Sequence, residues 1–213
     1  MGVTDGPGGP AYPPEPWDLS GHAYVGVFLV PAREAPPVPE GVRPVRLLGR
    51  VVVSAAWVVY EEPSPLTYRE LMTTVLVRRG LRPHVSITHI WVDSPASREG
   101  GRALWAIPKD LADFQVRRDA AYAMSLAGAP VATLAVRRLL RLPLPARLGF
   151  GVAQDGATRG GSGLVVSPVR VRSPLALARA RWEHVPTGPL GFLAGRRPLL
   201  TLVARRFAMR FGS

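Results

Sequence analysis

The 213-residue chain carries 27 Lys and Arg residues, and Lys109 alone among them is a lysine. Arginine serves as surface charge as well as lysine does. Its guanidinium stays protonated, however, and cannot form a Schiff base with a carbonyl. A lone lysine is therefore a candidate for amine chemistry. The surrounding segment, GGRALWAIPKDLADF (100–114), is apolar at Leu104, Trp105, Ile107, Leu111 and Phe114. Pro108 fixes its own φ and holds Ile107 extended, which sets Lys109 on a stiff corner beside apolar side chains. Desolvation there favours the neutral amine that a nucleophile needs. A fall from about 10.4 to about 7.5 would disfavour the charged form by about 4 kcal/mol.

Other chemistries find less support. There are four histidines, His22, His84, His89 and His184. His84 and His89 stand five apart in a predicted strand, which puts them on opposite faces. With no HExxH motif and no carboxylate–histidine cluster, no metal site is expected. The absence of cysteine excludes a thiolate nucleophile, a disulfide scaffold and Cys-ligated metals. No G-x-S-x-G elbow occurs, and Gly161-Ser162-Gly163 is a loop without an indicated base. The glycines near 100 do not follow a strand as a dinucleotide fingerprint would, so no cofactor is expected.

The elements that must position Lys109 read as mostly β. Residues 1–16 are rich in Gly and Pro and are expected to form a flexible arm, with one domain over 17–213. Strands are expected over Tyr24–Val30, Arg50–Tyr60, Glu70–Arg79, Val85–Val92, Val131–Arg137, Leu164–Arg172 and Leu199–Ala204. Arg50–Tyr60 is too continuously apolar for a half-exposed strand and reads as a buried one. Pro31–Pro44 is a proline-rich connector, and Gly80–Pro83 and Asp155–Gly163 are turns. Helical signals are short. Ser94-Pro95 supplies an N-cap and first helical residue, with Gly100-Gly101 expected to end the helix. Lys109–Phe114 reads as a further turn. Residues 173–183 read as one helix, with Ser173-Pro174 in cap positions. Strands do not alternate with long helices. The fold class is therefore α+β and mainly β, an antiparallel sheet or barrel with a few short helices.

The net charge of +12 raises nucleic acid or an anionic membrane as partners. The basic residues are scattered, and arginine with abundant Ala, Gly, Pro and Val is what a GC-rich coding sequence produces. No RNA-binding aromatic signature or zinc-finger spacing occurs. The basic C-terminal segment 195–213 reads as a last strand or helix with its arginines in water. The longest apolar run, Val51–Tyr60, is too short to span a bilayer. The N-terminus lacks the pattern of a signal peptide. A cytoplasmic protein without nucleic-acid or membrane partners is expected.

Three segments, in order, resemble the acetoacetate decarboxylase superfamily. GGRALWAIPKDLADF is similar to its G-R-E-x-x-G-x-P-K-K-x-A segment. Pro16-Trp-Asp-Leu-Ser-Gly-His22-Ala-Tyr24 is similar to its P-W-x-L-x-G-x-x-Y opening. Tyr60-Glu-Glu-Pro-Ser-Pro-Leu-Thr-Tyr68-Arg-Glu70-Leu is similar to its Y-x-x-S-P-x-x-Y-x-E-L segment. The resemblance implies an antiparallel β-barrel or cone with the lysine inside, in homo-oligomers. It places Lys109 at the Schiff-base lysine, Glu70 at an active-site glutamate and Arg102 at the arginine of G-R-E. It also places Asp110 where the family has a second lysine. In an ungapped alignment His22 takes the place of the substrate-carboxylate arginine, and Ala55 that of a second glutamate.

The expected function is a lyase-type enzyme. Lys109 forms an iminium with a small keto acid or related carbonyl, for decarboxylation or aldol-type chemistry. Glu70 moves protons. Tyr60 and Tyr68 donate hydrogen bonds, Arg102, His22 and Trp105 help to bind substrate, and Trp105, Phe114 and Trp17 exclude water. Two alternatives are a non-catalytic β-barrel that binds a small apolar ligand and a basic peripheral protein acting through its C-terminal arginines.

Overall fold

In the computed structural model, strand formation begins at Trp17, where alternating large apolar residues start. The structure describes residues 10–117 and 121–213. Residues 1–9 of the expected arm and Arg118 lie outside the described residues. The elements in chain order are β1 (Trp17–Pro31), β2 (Arg43–Pro44), β3 (Arg46–Leu47), β4 (Arg50–Glu61), β5 (Tyr68–Arg79) and β6 (Arg82–Val92). Then come α1 (Pro95–Trp105), β7 (Lys109–Leu111), β8 (Asp113–Arg117), β9 (Ala121–Leu126), β10 (Ala129–Asp155), β11 (Leu164–His184) and β12 (Leu200–Phe211).

Seven of these strands close a barrel in the order β6-β5-β4-β1-β12-β11-β10. Neighbours are antiparallel until the seam, where β10 meets β6 in parallel through Gly151↔His84 and Val152↔Val85. β7 extends β6 in parallel, and β9 and β8 extend β10. The result is the mainly β barrel that the strand pattern implies, with one α-helix among the described residues.

Two-residue alternation divides the wall into two faces. On β4, Val51, Val53, Ala55 and Trp57 enter one apolar cluster. Ala56, Val58 and Tyr60 enter another. The second cluster lines the barrel interior. This two-sided burial is what the unbroken apolar run of β4 signals.

Three expectations are corrected. The helix does not end at Gly100-Gly101. Ser94 caps it, its side chain accepting from Ser97 N, and it runs to Trp105, closing at Ala106 in the left-handed region. Two internal glycines cost helix propensity, about 1 kcal/mol each, but here close packing requires them. A Cβ at Gly100 would lie 2.6 Å from the Trp17 ring. Residues 173–183 are not a helix but the second half of β11. The alternation Arg179-Ala-Arg-Trp-Glu-His184, with Trp182 and His184 buried, has a period of two. Ser173-Pro174 marks a bulge against β12 rather than a cap. Lys109–Phe114 is not a turn either, because its ends are β7 and the start of β8.

Candidate active site

Lys109 begins β7 directly after the corner set by Pro108, and its N–H donates back to Ile107 O at 2.8 Å. That tight turn aims the side chain into the barrel. Its methylene stem runs over Gly101, where a Cβ would lie 2.7 Å from Cδ. The glycine in α1 thus opens the channel that the lysine occupies.

Nζ meets three acceptors. It donates to Glu70 Oε2 at 2.9 Å, to Ser97 Oγ at 2.9 Å and to the Tyr68 hydroxyl at 3.3 Å. All three protons of an ammonium are therefore satisfied. The other Glu70 oxygen accepts from the Tyr60 hydroxyl at 3.0 Å. Register explains the grouping. Tyr60 on β4 lies opposite Tyr68 on β5, and Glu70 follows Tyr68 by two, on the same face. The two tyrosine rings are 4.3 Å apart. Lys109 is 4% exposed and Glu70 2%.

The charges in this cluster are coupled. Burial by itself lowers the Lys109 pKa. The Glu70 carboxylate at contact distance and the hydrogen bonds to Glu70 and Tyr68 outweigh it, and the net shift is upward. The expected fall toward neutrality is thus corrected, because desolvation of a lone amine is not the situation of an ion-paired one. Burial also raises both tyrosines. Tyr60 is pushed well up, with the Glu70 charge adding to the effect. Both phenols stay protonated across the physiological range, Tyr60 donating to Glu70 and Tyr68 accepting from Lys109.

The cluster forms the polar end of a cavity of about 320 Å³ with otherwise largely apolar walls. Trp105 closes that end. Its indole packs edge-on against Trp17 at 4.8 Å and lies 4.5 Å from the Phe211 ring, while Nε1 donates to Glu15 at 2.8 Å. Glu15 thus bonds to α1, and Tyr12 lies beside Gly100 of the same helix.

The remaining residues singled out from sequence are elsewhere. His22 faces away from the cavity, 3.1 Å from the Tyr122 hydroxyl and 3.2 Å from Glu61. Ala55 is on that same far face, and its neighbour Ala56 lines the cavity. Arg102 is not among the lining residues. Its Nε donates to the backbone carbonyl of Lys109, so it braces the main chain of that residue. Asp110 is exposed and turned outward, accepting from Leu111 N. Phe114 packs on the Trp57 ring in the other cluster. His84 and His89 share one face, against expectation, because a bulge on β6 opposite Thr73/Thr74 shifts the alternation by one. Ser97 was not singled out. Its spacing of four from Gly101, which puts both on one face of α1, is the signal that finds it. Among the described residues no group of three or more His, Asp or Glu could hold a metal ion, and no helix is long and apolar enough to cross a membrane.

The family described as acetoacetate decarboxylase (ADC) matches residues 3–144, two thirds of the chain. This protein belongs to the acetoacetate decarboxylase family. Solved structures agree in fold. The acetoacetate decarboxylase of Legionella pneumophila subsp. pneumophila str. Philadelphia 1 is 16% identical, with a TM-score of 0.67 over 94% of this chain and 85% of that one. The enduracididine biosynthesis enzyme MppR, complexed with the condensation product of pyruvate and imidazole 4-carboxaldehyde, is 18% identical, with a TM-score of 0.62 over 94% and 88%. An acetoacetate decarboxylase-like enzyme of Sphingomonas wittichii RW1 is 16% identical, with a TM-score of 0.58 over 92% and 91%. No curated protein matches significantly by sequence. Family membership supports a lyase of the decarboxylase type acting on a small carbonyl compound.

Proposed function

We propose that this acetoacetate decarboxylase-family protein forms a Schiff base between Lys109 and a carbonyl substrate and uses the iminium to make or break a carbon–carbon bond. The observation that carries this reading is the buried contact between Lys109 Nζ and Glu70 Oε2 at the polar end of an apolar cavity.

As the carbonyl enters, the Lys109 ammonium gives one proton to Glu70, against the pairing that holds it charged, and the neutral amine so formed is the nucleophile. The amine lone pair attacks the carbonyl carbon, the C–N bond forms and the π electrons move to oxygen. Internal proton transfer gives the carbinolamine. Glu70 then protonates its hydroxyl, water leaves and the positively charged iminium faces the regenerated carboxylate. From there the iminium accepts the electron pair of a breaking bond. That bond is C–CO₂⁻ in decarboxylation, or C–H in aldol-type chemistry, where Glu70 takes the proton and the enamine attacks a second carbonyl. MppR's condensation product favours keeping the second route beside the first. Tyr60 holds Glu70, while Tyr68 and Ser97 orient Nζ. In this reading the protein works in the cytoplasm as a homo-oligomer.

The test is intact-mass spectrometry after mixing the protein with 2-oxo acids and β-diketones and adding borohydride. A reduced adduct is expected on the native chain and not on Lys109→Arg, with peptide mapping to exclude the N-terminal amine. No adduct with any carbonyl at any pH up to about 9 overturns the proposal. The fully hydrogen-bonded ammonium specifically favours a second reading, a barrel that binds an apolar ligand without chemistry, and that same negative result supports it.

A further inference from the structure

Polar groups sit at the two ends of the cavity and apolar groups fill the length between them. At one end are Lys109, Glu70, Tyr60 and Tyr68. Moving along β5, the next two inward-facing residues are Met72 and Thr74, and beside them on β4 stand Ala56 and Ser54. Four residues of strand separate Glu70 from Thr74, about 13 Å. Over that length the walls are methyl and ring groups, among them Val58, Ile87, Ile90 and Phe207. Among the described residues, and apart from the cluster at Lys109, the polar lining residues are Ser54, Thr74 and Ser173. Ser173 is already committed to the carbonyls of Pro174 and Arg205.

Burial follows the same axis. Around Lys109 every wall is sealed, with Trp17, Trp105 and Phe211 all buried. At the other end Val25, Ser54, Thr74, Val85 and Leu202 are only half-buried, and Leu148 is 56% exposed. The cavity is therefore a blind channel. Its reactive group is at the closed end and its mouth is at the Ser54–Thr74 end.

We infer that the substrate is a carbonyl compound with a linear apolar tail, its carbonyl at Lys109 and its tail lying along the channel toward Ser54 and Thr74. This rests on the Schiff-base reading for the carbonyl end and on the channel alone for the tail. A substrate as short as acetone would leave most of the apolar wall against water. A longer tail replaces that water, and each added methylene strengthens binding about fourfold. A charged group midway along the tail would have no partner there.

The experiment measures the half-saturating concentration for borohydride trapping with methyl ketones from acetone to decanone. It is paired with the thermal stabilisation given by unbranched alcohols of the same lengths, which cannot form an imine. A half-saturating concentration that falls about fourfold per methylene, then levels once the tail reaches the mouth, is the expected result. Ala56→Phe, placed midway, should reduce the ratio of decanone to acetone adduct, with circular dichroism to confirm folding. Adducts whose half-saturation ignores chain length overturn the inference and leave the imine reading standing. No adduct, with alcohols still stabilising in order of length, overturns the imine reading and keeps the channel as the tail site. Neither adduct nor length-dependent stabilisation overturns both.

Discussion

Gly101 and Lys109 share one volume: a Cβ on the glycine would lie 2.7 Å from Cδ of the lysine and 2.9 Å from Cε. The absence of a side chain on α1 is what lets the lysine lie flat against the helix and reach Glu70. In an ordinary helix interior Gly→Ala stabilises by about 1 kcal/mol. Here the sign should reverse. Gly101→Ala is expected to lower Tm by several degrees and to cut imine trapping at least tenfold, because Nζ must leave its three partners. Differential scanning calorimetry and borohydride trapping check both. A raised Tm with full trapping would show that the lysine has room to move.

Glu70 holds the charge of Lys109. Removing the carboxylate removes the largest interaction that raises the lysine pKa and leaves burial, which lowers it, opposed by Tyr68 alone. Glu70→Gln should therefore move the midpoint of the pH profile for trapping downward. In the proposed mechanism Glu70 protonates the carbinolamine, so the maximal rate should also fall, by about a hundredfold or more. Trapping rates with acetone between pH 5 and about 10 separate the two effects. An unchanged midpoint would show that Glu70 does not set the lysine charge.

The same cluster sets an alkaline limit. Lys109, Tyr60 and Tyr68 all have raised folded-state pKa values. Above about pH 10 the unfolded chain releases these protons while the folded chain retains them, so the folded state binds more protons. Their stabilising contribution is fully present below that pH and is lost as pH rises through the folded values. Urea unfolding should show stability falling from about pH 10 upward, by about 1.4 kcal/mol per pH unit for each retained proton. Tyr68→Phe should make the slope shallower by one such increment.

How far the sequence discloses this site depends on the range of the interactions involved. The strands β1, β4, β5 and β6 are legible because alternation and apolar continuity are local. Ser94-Pro95 is legible as a helix start because capping is local too. Lys109 stands out by residue type alone, and its apolar surroundings by the residues beside it. The helix over 173–183 misleads because Leu175, Leu177 and Ala178 fit a helical face, whereas pairing with β10 and β12 decides the outcome. The faces of His84 and His89 depend on one bulge that no local pattern announces. The direction of the Lys109 shift depends on a carboxylate 39 residues away in sequence. Ser97 enters the site only once α1 is known to continue through its two glycines.

His184, on the far face of the wall, gives the protein an acid limit. Its ring lies 5.9 Å from Phe28 and 6.3 Å from Trp182, nearly parallel to the latter, and neither ring nitrogen has a hydrogen-bond partner. Burial lowers its pKa to about 4. A histidine whose folded pKa is lowered stays neutral in the folded chain while the unfolded chain takes up a proton near pH 6.5. Stability is then fully present above that value and declines as pH falls toward the folded pKa. Between pH 7.5 and 5 the loss should be about 2 kcal/mol. His89, also lowered by burial, adds to it with the same sign. In His184→Leu the greater part of this pH dependence should disappear, because leucine keeps an apolar side chain between Phe28 and Trp182 and takes up no proton. Urea unfolding of both proteins at the two pH values measures the difference directly. Equal acid sensitivity in the variant would locate the titrating group elsewhere.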